Sequence, residues 1–104
     1  MIFHVDEFIQ IEIASLKRIL KIKKDIIYIT NKTIWHEILR KCKQKPTEKI
    51  YGQSVPAICY IYIDLESCET LKEVKATICH ELTHIKFPKA NEKQIGKLTR
   101  NYID

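Results

Sequence analysis

The 104 residues, 45% hydrophobic and 30% charged, predict one domain (1–104) with one modest core and exclude a disordered chain. The net charge of +5 could suit a nucleic acid, but the basic residues are spread along the chain without interleaved aromatics, which argues against nucleic-acid binding. The longest uncharged stretch (50–63) has 14 residues and contains Gly52 and Pro56, so it is too short and too interrupted to span a membrane.

The amino terminus carries no basic region ahead of an apolar stretch, so no signal peptide is visible and we expect a cytoplasmic protein. The four cysteines match no metal-binding or redox spacing. In a reducing compartment we expect them to act as small core hydrophobes. Only 2 glycines accompany 18 lysines and arginines, a composition often found in thermophiles.

The first half of the chain predicts a helix, a strand and a second helix. In 6–24, apolar residues recur at helical spacing: Ile9, Ile13, Leu16 and Leu20. The β-branched and aromatic run at 25–29 predicts a strand. Thr30 or Asn31 can cap a second helix that continues to Lys43. Its expected inner face consists of Ile34, Ile38 and Cys42.

The second half predicts a short strand at 49–53 and a stronger one at 57–63, whose alternating residues leave neither face very polar. A long helix follows from about 69 to 86 and is stopped by Pro88. The last predicted helix covers 92–102, with Asn91 as its cap. This order predicts an α+β fold, with a small sheet backed by helices.

The long helix separates into faces on a helical wheel. Its predicted core stripe is Leu71, Val74, Ile78, Leu82 and Ile85. His80 and His84 lie on the opposite side, and Glu81 falls between the two. The remaining arc is expected to face water: Lys72, Lys75, Thr83 and Lys86.

The stretch His80-Glu81-Leu82-Thr83-His84 has the spacing of a zinc site. Histidines at positions i and i+4 can both reach one tetrahedral zinc ion. Glu81 cannot easily join them, but it can take a proton from an attacking water molecule as a general base. Surface histidines on an ordinary amphipathic helix are the alternative. A chance match in a chain of this size is roughly one in a few hundred.

A catalytic zinc site needs a third protein ligand. Glu92 is the first candidate because it opens the last helix and shares a face with Ile95, which should pack inward. The alternative for Glu92 is a first-turn carboxylate that the helix dipole stabilises. Asp104 and Glu73 are the next candidates for the third ligand.

These residues, with the sequence PKANEKQIGKL after the motif, resemble the gluzincin zinc peptidases, in which a "glutamate helix" follows the active-site helix. The single small domain is most similar to the minigluzincins, soluble peptidases of thermophilic prokaryotes that resemble the catalytic domains of integral-membrane zinc peptidases. The resemblance implies one zinc ion held by His80, His84 and Glu92, with Glu81 as the general base. It also implies that the strand segment 54–61 offers its edge to an extended peptide.

The resemblance further implies a latent zymogen, in which the C-terminal segment (about 95–104) occupies the cleft. That segment could act within one molecule or be exchanged in a homodimer, through the short hinge at 87–90. Such enzymes usually carry a residue that stabilises the oxyanion. The sequence leaves several candidates: Tyr102, Arg100, Tyr60 and His36.

Two other functions remain open. The chain could be a non-catalytic, zinc-stabilised basic module that binds nucleic acid or a protein partner. It could also be a regulator that derives from a peptidase and retains the metal without turnover. A structural site would not depend on Glu81, whereas a hydrolase would.

Overall fold

The computed structural model describes residues 4–46 and 51–100. In chain order its elements are α1 (Val5–Leu20), β1 (Ile27–Ile29), α2 (Lys32–Lys41), β2 (Gly52–Val55), a short 3-10 turn (Pro56–Ile58), β3 (Tyr60–Ile63), α3 (Leu71–Lys86) and α4 (Glu92–Thr99). This order confirms the predicted α+β fold, in which helices back a small sheet.

The sheet has three strands in the order β1-β3-β2, so β3 is central. β3 runs parallel to β1, with Tyr60 opposite Ile27, and antiparallel to β2, with Ile63 opposite Gly52. β3 is hydrogen-bonded to a strand on both sides, so its backbone cannot pair with a further strand. β2 is one of the two edge strands of this three-stranded sheet.

One face of the sheet packs against α1 and α3. Ile61 and Ile63 of β3 are fully buried there, among the apolar stripes of the two helices. The helical side chains of this core include Ile9, Ile13, Leu16, Leu20, Val74, Ile78 and Leu82. The stripe predicted for α1 is therefore confirmed. Each side chain that becomes fully buried contributes roughly 1.5–3 kcal/mol of hydrophobic stabilisation before entropy costs.

The other face packs against α2. Ile38 and Cys42 of the predicted inner face pack there as expected, but the prediction is wrong for Ile34. Trp35 and Leu39 are the buried residues of α2, whereas Ile34 is 48% exposed. Trp35 stacks on Tyr62 with ring centroids 5.6 Å apart, and its Nε1 donates a hydrogen bond to Gln53 Oε1 at 3.0 Å. The large ring can fill this side of the sheet and satisfy its own N–H at the same time, which explains the rotation of α2 away from Ile34.

Several element ends differ from the predictions. α1 ends at Leu20 because Lys21 has a left-handed backbone with φ of 57°, and α2 ends at Lys41. The long strand predicted at 57–63 divides at Cys59, which is also left-handed (φ 56°), and only Tyr60–Ile63 is strand. The predicted strand at 49–53 is observed as Gly52–Val55, while 49 and 50 lie outside the described residues.

The cysteines are free thiols among the described residues, as a reduced chain requires. Cys79 is buried in the core formed by α1, α3 and the sheet, and the partly buried Cys68 packs against this core. Burial raises the pKa of both thiols, since the charged thiolate loses solvation. Within the described ranges, no helix combines the length and apolar character needed to cross a bilayer.

Candidate active site

α3 begins at a capped N-terminus that fixes the register of the HExxH residues. The Thr70 hydroxyl accepts a hydrogen bond from the Glu73 backbone N–H at 3.2 Å, which satisfies one of the unpaired donors of the first turn. Val74, Ile78 and Leu82 are buried as predicted, so the histidines face away from the main core contact.

Thr83 corrects the predicted solvent-facing arc of α3. It is fully buried, and its hydroxyl donates a hydrogen bond to the Cys79 carbonyl at 2.6 Å. A threonine can be buried in a helix when its hydroxyl is satisfied by the carbonyl one turn earlier.

α4 buries Ile95 and Thr99, and its cap fixes where the helix begins. Ile95 is fully buried, and Asn91 caps the helix as predicted. Asn91 and Gln94 form a reciprocal capping box, with both hydrogen bonds at 2.9 Å. Glu92 follows the cap directly, so it starts the helix at the end nearest to the histidines.

The carboxylate of Glu92 lies within hydrogen-bonding distance of both imidazoles. His80 Nε2 lies 3.0 Å from Glu92 Oε2, and His84 Nε2 lies 2.9 Å from Glu92 Oε1. The two rings stand edge to face, with centroids 4.9 Å apart. The structure thus brings together the three residues that the sequence proposed as ligands.

This arrangement fits a tetrahedral divalent ion. Zinc binds histidine nitrogen and carboxylate oxygen at about 2.0–2.2 Å, which places ligand atoms roughly 3.3 Å apart. Three such atoms, one from each residue, lie within 4.8 Å of one another. The distances of 3.0 and 2.9 Å from the imidazoles end on different oxygens of the Glu92 carboxylate, and each is close to the expected separation. Neutral imidazoles would present their lone pairs to such an ion, whereas protonated imidazoles would form ion pairs with Glu92 instead.

Glu73, another candidate for the third ligand, is not part of this cluster. Glu73 lies on the same face of α3 but two turns away from His80, and its carboxylate accepts a hydrogen bond from the Glu69 backbone N–H at 3.3 Å. Asp104 lies outside the described residues.

Glu81 is a buried carboxylate, only 3% exposed. It lies where α3 crosses the start of β2. A Cβ atom placed on Gly52 would come within 3.5 Å of Glu81 Oε2 and 2.8 Å of Thr77 Cγ2. The Thr77 distance is shorter than a real Cβ contact, so only glycine lets β2 lie this close to α3, while the Glu81 carboxylate is at an ordinary van der Waals distance.

A cavity of about 570 Å³ opens beside Glu81 and His80. This volume is within the range of ligand pockets. Its other lining residues are Tyr51, Gly52, Glu73, Ala76 and Thr77. A larger cavity of about 790 Å³ lies where α3 turns into α4, around Phe87 and Pro88, and none of the ligand residues lines it.

The structure describes three of the four residues proposed to stabilise the oxyanion. Tyr60 packs on the α2 face of the sheet and His36 belongs to α2, so both lie across the sheet from α3. Arg100 is exposed at the end of α4, and Tyr102 lies outside the described residues.

Sequence reasoning missed Gly52 and Tyr51, which form the wall opposite α3. An isolated glycine at the start of a strand signals a close backbone approach, and that signal could have identified Gly52. The expected substrate edge at 54–61 is also corrected. Only Ser54 and Val55 of this segment belong to an edge strand, β2, and the rest is the turn and the central strand β3. The sheet edge on the side of α3 that carries Glu81 is therefore β2 and not β3.

No known protein family, curated protein or solved structure matches this chain. The resemblance to the minigluzincins therefore stays a prediction that is based on the residues of α3 and α4.

Proposed function

We propose that this chain is a zinc-dependent endopeptidase of the gluzincin type. The observation that carries the proposal is the convergence of His80, His84 and Glu92 next to a buried carboxylate, Glu81, at the mouth of a cavity. A metal site that only stabilises the fold would need neither the carboxylate nor the cavity.

His80, His84 and Glu92 are the residues that would hold the metal. A bound zinc ion would polarise the scissile carbonyl and lower the pKa of water, so that water becomes a nucleophile at neutral pH. Two helices supply the three side chains, and their capped ends and buried contacts keep the imidazoles in place before substrate arrives.

Glu81 is the general base of the proposed reaction. Its carboxylate accepts the proton of the attacking water and then donates that proton to the amine that leaves when the peptide C–N bond breaks. Its burial beside β2 keeps the carboxylate in one position and limits competing solvent.

β2 is the proposed binding edge for the substrate backbone. The Asp64 N–H donates a hydrogen bond to the Tyr51 carbonyl at 2.9 Å, which makes these two residues a hydrogen-bonded pair at the end of the β2–β3 ladder. Because such pairs alternate along an antiparallel ladder, the backbone groups of Gly52 and Ser54 are directed to the open side. An extended peptide can pair there and pass in front of Glu81.

Latency belongs to the same proposal. Residues 95–99 are the last turns of α4, and Ile95 and Thr99 are buried, so this part of the segment packs against the domain. None of the residues 95–100 lines the cavity beside Glu81. The blocking role therefore falls on 101–104, outside the described residues. The exchanged homodimer and the cytoplasmic location also stay predictions.

The test is cleavage of an unstructured protein by the zinc-loaded chain. It should be performed with the full chain and with a chain ending at Arg100, which retains every described element. Glu81→Gln should keep the zinc and reduce turnover by about 10²–10⁴-fold, while Glu66→Gln, an exposed carboxylate, should behave as wild type. Absence of cleavage by both forms, or full activity of Glu81→Gln, would contradict the proposal.

A further inference from the structure

The cavity beside the candidate metal centre has a charged residue at the end far from the ligands. Glu81 and His80 lie at one end, and Glu73 lines the other. Glu73 and His80 are seven positions apart in α3, which corresponds to about 10.5 Å along the helix axis. A substrate side chain that starts next to the reacting carbonyl must therefore be long to reach the Glu73 carboxylate.

The Glu73 carboxylate has a defined position. Its Oε2 accepts a hydrogen bond from the Glu69 backbone N–H at 3.3 Å, which anchors it near the start of α3. Among the residues that the structure describes, no lysine or arginine forms an ion pair with Glu73. The carboxylate can therefore receive a cation from outside the chain.

The walls between the two ends are largely apolar. Ala76 contributes a methyl group, and the Thr77 hydroxyl is turned to the Glu73 carbonyl at 2.8 Å. Tyr51 is 46% exposed and offers an aromatic ring on the opposite wall. Such walls suit the aliphatic part of a lysine or arginine side chain, whose charged end needs a polar partner.

The local charge differs from that of the whole chain. The net charge is +5, yet 51–71 contains no lysine or arginine and includes Asp64, Glu66 and Glu69. On α3, however, Lys72 and Lys75 flank Glu73, so the negative charge at this end of the cavity is that of Glu73 itself, with Glu69 beside it. The Glu73 carboxylate attracts a substrate cation and repels an acidic side chain.

We propose that this cavity binds a lysine or arginine side chain of the substrate next to the scissile bond, and that Glu73 determines this specificity. This inference rests on the proposed peptidase function. The substrates are then peptides with a basic residue at the cleavage site.

The test compares two short blocked peptides that differ in one side chain, lysine or its uncharged analogue norleucine. Their binding to zinc-loaded chains carrying Glu81→Gln, one full-length and one ending at Arg100, is measured by calorimetry, and cleavage of both peptides by the two corresponding forms with Glu81 intact is followed by mass spectrometry. The lysine peptide should bind about three- to ten-fold more tightly and be cleaved faster by a similar factor. Glu73→Gln keeps an acceptor for the Glu69 N–H, and it should abolish this difference. The matched control Glu37→Gln removes the same charge from the exposed side of α2, on the other face of the sheet, and should preserve the difference.

The outcomes separate the two proposals. If both peptides bind and are cleaved equally well, or if Glu73→Gln retains the preference, the specificity inference is overturned while the peptidase proposal stands. If neither peptide is bound or cleaved by either zinc-loaded form, and an unstructured protein is not cleaved by either form, the peptidase proposal fails and the inference fails with it. A preference for lysine that depends on Glu73 supports both.

Discussion

His84 and Glu92 face each other across two helices, with His84 Nε2 and Glu92 Oε1 2.9 Å apart. The other oxygen of the same carboxylate lies 3.0 Å from His80 Nε2. One glutamate at the start of α4 therefore contacts both imidazoles of α3. The position of α4 and the integrity of the candidate metal centre depend on each other.

Glu92→Gln should weaken zinc binding by at least about ten-fold, because it replaces a charged ligand with a neutral amide. Glu73→Gln is the matched control, since Glu73 was also a candidate ligand but lies outside the cluster. Zinc affinity can be measured by competition with a chromophoric chelator. Equal loss in the two variants would contradict the assignment of Glu92 as the third ligand.

Gly52→Ala should lower the free energy of unfolding by about 1–3 kcal/mol. The new Cβ would lie 2.5 Å from the Tyr62 carbonyl oxygen, a backbone atom in the central strand, and 2.8 Å from Thr77 Cγ2. β2 would have to move away from α3, so the position of Glu81 should change as well.

The chain offers a control in its second glycine. A Cβ on Gly96 meets nothing within 4 Å, and this residue lies inside α4. Gly96→Ala should therefore raise stability by about 0.5–1 kcal/mol, since it reduces the entropy of the unfolded chain. Urea unfolding of both variants provides the comparison. A Gly52→Ala variant as stable as wild type would exclude the close crossing of β2 and α3.

The Cys68 thiol should react with iodoacetamide only at raised pH. Burial raises its pKa, a hydrogen bond between the thiol and the Thr77 hydroxyl opposes this, and Glu73 and Asp64 raise the pKa further. The folded chain favours the protonated thiol, so this stabilisation is complete below the unfolded pKa of about 8.5 and is lost as pH rises through the folded pKa. The midpoint of the alkylation rate, followed by peptide mapping, should therefore lie above that of the urea-unfolded chain. Equal alkylation midpoints in the folded and the urea-unfolded chain would contradict the raised pKa of Cys68.

Much of the fold could be predicted because local patterns agree with tertiary packing. The stripe of α1, the cap Asn91 and the core stripe of α3 require only helical periodicity and capping chemistry. The pair of histidines follows from the same periodicity. Spacing alone places His80 and His84 on one face of a helix, whatever the rest of the chain does.

The remaining features depend on contacts between distant residues. In α2, both Ile34 and Trp35 begin an apolar series, and only packing against Tyr62 selects Trp35 for the core. The crossing of β2 over α3 at Gly52 depends on the order of strands in the sheet, which the sequence does not specify. The approach of Glu92 likewise depends on the turn between the two helices and on Ile95.

The most direct test of the central claim is the zinc content of the purified full chain. The chain should be stripped with chelator, incubated with excess zinc at neutral pH, separated from free metal and analysed by mass spectrometry of the metal. Wild type should retain about one zinc ion per chain, and His80→Ala should retain essentially none. A wild-type chain that retains no zinc, or a His80→Ala chain that retains as much as wild type, would contradict the account.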